Sequence, residues 1–575
     1  MKTSSIILII ALLFTSELLS ENHNGSSPVF RAPVVCSILQ ANNLNTKLWN
    51  NGIFNYGLPD TFRMGLIWPV TAPVTMTADF SSGIWIGAKV GPQRELRLAA
   101  AIYNSHYTPG NIPVTGQVPP LSVCSDTIWK SYLVKLTDSS LVNGGTRIKI
   151  AGTKSYLVNY DSWANWPVSK GAPYVEVNNV TGYQPGWNSD RPGIGNSAAR
   201  PDEISFAVFM DYSDCTNNIH QSEISLPGGT LPLGAEIHQI AFAFNCAGLK
   251  DMYFIKWRII NKSSSVWDST YISIVDDGDI NAPDDDLAGC DTARQMGFIY
   301  NGTNFDSVYG AAPPALGYRM LQSPLVYTGN PMDTAKLPYG NFIGYRLKGM
   351  MVYNTFLKNG STCTGDPDDA EYAYYYMIGL SGCGQPIYNP NTGQPSRFRY
   401  SGNACARTGW INSSPNDIRQ VISSGPITMN SNDTQIIVAA VMVGRGSDNF
   451  QGVCRVQSLS DTAKLSYDYN FLSCPLTIGI NPISSVIPGK FSLSQNYPNP
   501  FNPVTNFGFR IADFGLVNLV IYDALGKEIQ ILVNENLHPG TYEVTWDASN
   551  FSSGVYYYKL IAGEYRQTKK MVLIK

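Results

Sequence analysis

Six aspartates fall within the eleven residues Asp276–Asp286 (DDGDINAPDDD). Carboxylates this dense repel one another, and a hard cation with oxygen ligands relieves the repulsion. Asp277, Asp279 and Asn281 alternate as oxygen donors do along a calcium loop, and Asp284, Asp285 and Asp286 follow closely enough to complete the shell. The segment is no EF-hand: position six is Ala282 where that loop needs Gly, and position twelve is Ala288 where it needs Glu. A structural calcium site is expected here, with an exposed acidic loop as the alternative. Outside the cell, calcium is plentiful enough to fill even a site of the ~10⁻⁴–10⁻³ M class. A second cluster, Asp366, Asp368, Asp369 and Glu371, reads as a solvated turn.

Other chemistry is thinner. Paired carboxylates serve glycoside hydrolysis as acid and nucleophile, but no pair here has the apolar surroundings that would raise one of the two. Only five histidines are present; His106, His220 and His238 form no HExxH motif. Nucleophile elbows, Walker loops and dinucleotide fingerprints are missing from the sequence. No catalytic constellation stands out, which weighs against an enzyme. Trp163, Trp166, Trp187, Tyr372 and Tyr374–Tyr376 invite a glycan-binding reading, because flat rings stack on sugar faces. Tyrosines of a half-buried strand and loop-pinning tryptophans explain them as well, and that explanation is preferred.

Whatever these residues do, the elements that position them are strands. Charged residues make up 14% of the 575, well below the ~25% usual in globular proteins. Gly 51, Pro 36, Tyr 33 and Trp 11 suit a turn-rich, aromatic β-protein. A net charge of -3 leaves no basic footprint for nucleic acid. Alternating segments predict strands over Phe80–Val90, Glu203–Asp211, Ile237–Asn245, Met252–Asn261, with Ile255, Trp257 and Ile259 on one face, and Tyr271–Val275. The nearly continuous apolar run Asp433–Gly444 predicts a strand buried on both faces, and Thr462–Leu472 is the one expected helix of the body. The fold class is therefore all-β, a multi-domain β-sandwich body followed by a small terminal sandwich.

Met1-Lys2, the apolar run Ile6–Phe14 and small residues near Ser20 predict a secretory signal peptide over 1–20. The body is expected over 21–474, divided into two or more subdomains. A proline-bearing linker follows over 475–490 and a terminal module over 491–575. Ten cysteines in an exported chain predict disulfides, with Cys363/Cys383 and Cys454/Cys474 as neighbours able to bridge.

The terminal module, Phe491–Lys575, breaks into strands of alternating pattern from Thr505 to Ile574. It carries YPNPFNP at Tyr497–Pro503, Tyr522-Asp523 with Gly526-Lys527, Pro539-Gly540, Ser553-Gly554-Val555-Tyr556, and the ending Lys570-Met571-Val572-Leu573-Ile574-Lys575. In this order and spacing it resembles the type A C-terminal sorting domain of the type IX secretion system of the Bacteroidota, an immunoglobulin-like β-sandwich. The resemblance spans the whole module. It implies that Tyr497, Pro498, Asn499, Pro500, Tyr522, Asp523, Gly526, Gly540, Gly554, Tyr556, Lys570, Met571, Val572 and Lys575 carry the sorting signal. It implies export to the periplasm, passage across the outer membrane by the type IX machinery, and a final location outside the cell or on the outer-membrane surface. In many members a sortase-like peptidase removes the tail and joins the body to surface lipopolysaccharide. The body resembles β-rich bodies recurring with this tail, which adds no chemistry. The expected function is a secreted or surface protein with a structural or adhesive body; the alternative is a secreted hydrolase of polysaccharide or protein.

Overall fold

Segments with apolar side chains at every second residue become the strands of two large antiparallel sheets. The structure, a computed structural model, describes residues 34–57, 65–71, 76–135, 145–151, 154–160, 167–172, 174–176, 183–185, 201–223, 226–246, 248–468, 471, 481–484, 490–512, 515–537, 540–548 and 551–575. The expected signal peptide lies outside these residues. Strand accounts for about 47% and helix for about 9%, so the all-β expectation holds.

The first sheet runs in the order Cys36–Leu39, Thr46–Trp49, Ile53–Phe54, Ser81–Val90, Trp267–Asp277, Ile418–Met429 and Val352–Leu357, with Glu95–Ala99 also paired to Ser81–Val90. The second runs Asp286–Asp291, Met296–Asn301, Ala315–Gln322, Thr434–Gly444, Met252–Asn261, Ala235–Ala243, Glu203–Met210 and Thr108–Pro109, with Tyr132–Lys135 beside Glu203–Met210. Their facing sides share one core: Ile84, Ile86, Ile272, Ile274 and Ile422 meet Ile237, Ile255, Trp257, Ile259, Leu316 and Val441. The face expected for Ile255, Trp257 and Ile259 is the core face.

Each sheet also buries its outer side, which is why its strands are apolar on both faces. Phe242, Phe254, Val438 and Met442 are covered by the helix Asn449–Asp468 through Val453, Val456, Leu459, Ala463 and Tyr467, a spacing of three to four residues. This helix begins thirteen residues ahead of the expected Thr462–Leu472. Trp85, Tyr271, Val275 and Val421 are covered by the helix Ala370–Ile378. That second helix corrects the strand expected for EYAYYYM. Asp369 caps its start by accepting from the Tyr372 amide, and Gly379 ends it at φ 87, a left-handed conformation that glycine adopts without strain. Tyr372, Ala373, Tyr376 and Met377 then form a helical stripe against the sheet.

Disulfides join Cys124 to Cys215, Cys363 to Cys383, and Cys405 to Cys454, and Cys246 is also disulfide-bonded. The Cys363/Cys383 neighbours bridge as expected. Cys454 instead reaches back to Cys405, and Cys36 and Cys290 are free thiols.

The terminal module has two four-stranded sheets. One contains Asn481–Ser484, Gly540–Asp547, Val504–Ile511 and Ser492–Leu493; the other contains Glu528–Leu537, Gly515–Tyr522, Gly554–Ala562 and Tyr565–Leu573. Phe507, Phe509, Leu519, Ile521, Val544, Trp546, Tyr558 and Met571 fill the space between them. Asn481–Ser484 lies in the segment read as linker and pairs with Gly540–Asp547.

Candidate functional site

Two adjacent aspartates end the strand Trp267–Asp277, and the period of two turns their side chains to opposite faces. Register sets what each meets: Asp276 lies opposite Ser82 and Gln420, and Asp277 opposite Ser81 and Arg419.

On the core side, Asp276 Oδ2 accepts from Gln420 Nε2 at 2.6 Å. Asp79 Oδ2 accepts from Ser82 at 2.7 Å, from Asn55 at 2.5 Å, and from the Tyr318 hydroxyl. Ser82 also reaches Asp276 Oδ1, donating at 3.3 Å, so one hydroxyl stands between the two carboxyls. Burial pushes Asp79 up to about 6, and burial and Asp79 push Asp276 well above the carboxylate range. Both carboxyls are fully buried on this side of the strand.

The opposite side is ionic. Arg419 lies 2.6 Å from Asp417 Oδ1, 3.2 Å from Asp277 Oδ1 and 3.8 Å from Asp366, while Lys358 lies 3.0 Å from Asp417 Oδ2. Tyr103 donates its hydroxyl to Asp277 and accepts from Arg419 at 3.0 Å. Asp277 and Arg419 are only 2% and 3% exposed. Burial pushes Asp277 up to about 6 despite Arg419, and burial with the charges of Asp277 and Asp417 pushes Asp279 well up. One ligand atom each from Asp277, Asp279 and Asp417 lies within 4.8 Å of the others. Asp277 Oδ1 and Asp417 Oδ1 accept no hydrogen bond although both lie at ion-pair distance from Arg419. Carboxylate oxygens converging in this way fit a hard divalent cation. Bound there, such an ion would supply charge neutralisation, with Asp277, Asp279 and Asp417 holding it.

Of the residues expected from the sequence, the structure brings Asp277 and Asp279 together, with Asp417. Asn281 donates to Asp306 and to Ser307, each at 3.2 Å. Asp284 is exposed, Asp285 accepts from Asn301 at 2.9 Å, and Asp286 accepts from the Ile280 amide at 3.0 Å. Asp284, Asp285 and Asp286 are not among the carboxylates that converge. Asp417 and Arg419 were missed: one lies just before and the other at the start of the distant strand Ile418–Met429, and the pairing of Arg419 with Asp277 brings them there. In the second acidic cluster, Asp368 and Asp369 are exposed as expected, and with Glu371 they line an open cleft of about 630 Å³. Tyr372, Tyr374 and Tyr376 are buried in a helix, and Tyr375 is half-buried on the same cleft; Trp163, Trp166 and Trp187 lie outside the described residues.

In the terminal module the two ends of the signature meet. Asn499 Oδ1 accepts from the Val572 amide at 3.0 Å, Phe501 donates to Val572 O at 3.0 Å, and Ile574 donates to Phe501 O at 3.0 Å. Phe501 is buried against Trp546, and Met571 is fully buried beneath the same edge. Pro498 O accepts from Thr505 at 2.8 Å, and the Pro498 and Pro500 peptides are cis. Tyr497 and Lys570 point outward. Next to Tyr522, Asp523 Oδ1 accepts from the Leu525 and Lys527 amides, both at 2.9 Å, and Gly526 adopts φ 80 to close that turn. Gly540 and Gly554 open their strands. Tyr556 donates to Ser552 O at 2.7 Å, and the Lys575 amide donates to Ser553 at 2.9 Å.

The family described as "Secretion system C-terminal sorting domain" matches residues 495–575. The tail is a type IX sorting domain. A sorting domain of this kind directs its chain to secretion by the type IX system and marks a secreted or cell-surface protein. The match does not extend to the body. No curated protein matches the chain. Among solved structures, a polysaccharide lyase is 8% identical over 81% of this chain and 46% of its own, with a TM-score of 0.17. The chain thus spans under half of that lyase. The surface component PorZ of the type-IX secretion system of Porphyromonas gingivalis is 9% identical over 94% of this chain and 75% of its own, with a TM-score of 0.14. Neither likeness carries an argument. Among the described residues, no helix is long and apolar enough to cross a membrane.

Proposed function

We propose that this protein is a type IX cargo whose body serves a structural or adhesive role outside the cell or on its outer surface. The interlocked sorting domain carries the reading, with Asn499 and Phe501 held on Val572. Residues 1–20 act as the signal peptide, 21–474 as the cargo body, 475–490 as the connection and 491–575 as the sorting unit. The secretion machinery binds the sorting unit, a sortase-like peptidase removes it, and surface lipopolysaccharide receives the body. Calcium at Asp277, Asp279 and Asp417 stiffens that body. The apolar two-sided burial of both sheets, braced by disulfides, suits a rigid extracellular scaffold.

A transplant tests the sorting assignment. Residues 475–575 fused behind a periplasmic reporter in a type IX-competent host should bring the reporter to the cell exterior, detected by surface proteolysis. A reporter that stays in the periplasm contradicts the assignment.

A further inference from the structure

Beyond the cation cluster, a cleft of about 510 Å³ opens beside the first sheet, lined in part by Asn51, Tyr56, Tyr103, Asn104, Gln221 and Glu223. That volume lies within the ~300–1,000 Å³ usual for small-molecule sites. Its aromatic wall is rigid. The Tyr56 and Tyr103 rings meet edge to face with centroids 6.1 Å apart, and both pack on Phe80 at 5.9 Å. Arg419 additionally pins the Tyr103 hydroxyl.

At the base of the cleft lies an anomaly. Asn51 is 8% exposed, and its side-chain oxygen accepts no hydrogen bond. A buried amide oxygen without a donor is unfavourable, and a ligand hydroxyl would satisfy it. Around it stand the exposed amides of Asn104 and Gln221 and the exposed carboxylate of Glu223. Among the described residues no lysine or arginine lines the cleft, so phosphorylated, sulfated or uronic ligands find no counter-charge. Tyrosine rings for apolar C–H faces, with amide and carboxylate acceptors for hydroxyls, match an uncharged sugar.

We propose that this cleft binds a neutral oligosaccharide, with Asn51 accepting from a sugar hydroxyl and Tyr56 and Tyr103 supporting the ring. Recognition is non-covalent.

Calorimetric titration of the full chain tests it, with laminarihexaose, maltohexaose, cellohexaose and xylohexaose as neutral probes and oligogalacturonate and heparin hexasaccharide as charged ones. At least one neutral probe should bind with Kd below about 1 mM. Asn51→Leu and the surface pair Asn104→Ala/Gln221→Ala should each weaken it about tenfold or more. The surface pair guards against a folding defect in Asn51→Leu and should melt as the parent does. No neutral probe binding below about 1 mM, equal binding of the charged probes, or undiminished binding by the surface pair overturns the proposal.

Discussion

Asp276 and Asp277 are neighbours in the chain but live in different environments, one buried beside Asp79 and accepting from Gln420, the other paired to Arg419. Read along the sequence, the acidic run looks like a single loop of ligands. Strand pleating splits it, and register brings Arg419, with Asp417 just before it, to Asp277. Composition showed that charge was concentrated there; it held no information on the partner strand. The energetic consequence depends on pH. Asp79 and Asp277 sit at about 6 in the folded chain, against 3.8 for a free aspartate. Between those values the folded state holds more protons than the unfolded state, so these groups lower stability as pH rises through the window. In chelator, Asp79→Asn, which keeps a donor for Asp276, should lose less stability between pH 4 and pH 7 than the parent. The difference should be on the order of 2–3 kcal/mol. A divalent cation held by Asp277, Asp279 and Asp417 would displace their protons, so at pH 7 millimolar calcium should raise the parent melting temperature by about 2–5 °C and leave Asp277→Asn/Asp279→Asn unmoved. Identical pH profiles for parent and Asp79→Asn would contradict the raised Asp79 carboxyl, and an equal calcium response in the acidic double variant would remove the cation.

At the scale of elements, period-two patterning was legible almost to the residue. Met252–Asn261 is the strand expected, and Asp433–Gly444 differs from the observed Thr434–Gly444 by one position. Helices were harder to read because both lie on sheet faces already rich in aromatic and apolar residues. In EYAYYYM the tyrosines at every second position imitate a strand, and the deciding signals are the Asp369 cap and Gly379. Cys454 sits on the long helix, so its partner depended on which loop that helix crosses. That bond closes 49 residues, and Cys405→Ser/Cys454→Ser should cost about 2–4 kcal/mol. Hydrogen exchange should show the loss concentrated in Asn449–Asp468. Unchanged protection there would mean that the helix is held by its apolar stripe alone.

Over the whole molecule, the sorting domain has its own apolar core, drawn from residues after Phe491, and the body sandwich is built from residues before Cys474. Sequence made the destination legible because the signature is local and ordered, and the structure explains that order by the contact of Asn499 and Phe501 with Val572. The body's role was not legible, since its polar groups converge from distant strands and loops. The central claim is that the tail carries the body outward. It is tested most directly by expressing the chain truncated before Phe491 in a type IX-competent host and measuring the fraction of body protein accessible to external protease. The account predicts full retention in the periplasm, protected until the outer membrane is opened. Truncated body reaching the exterior at the level of the intact chain would contradict it.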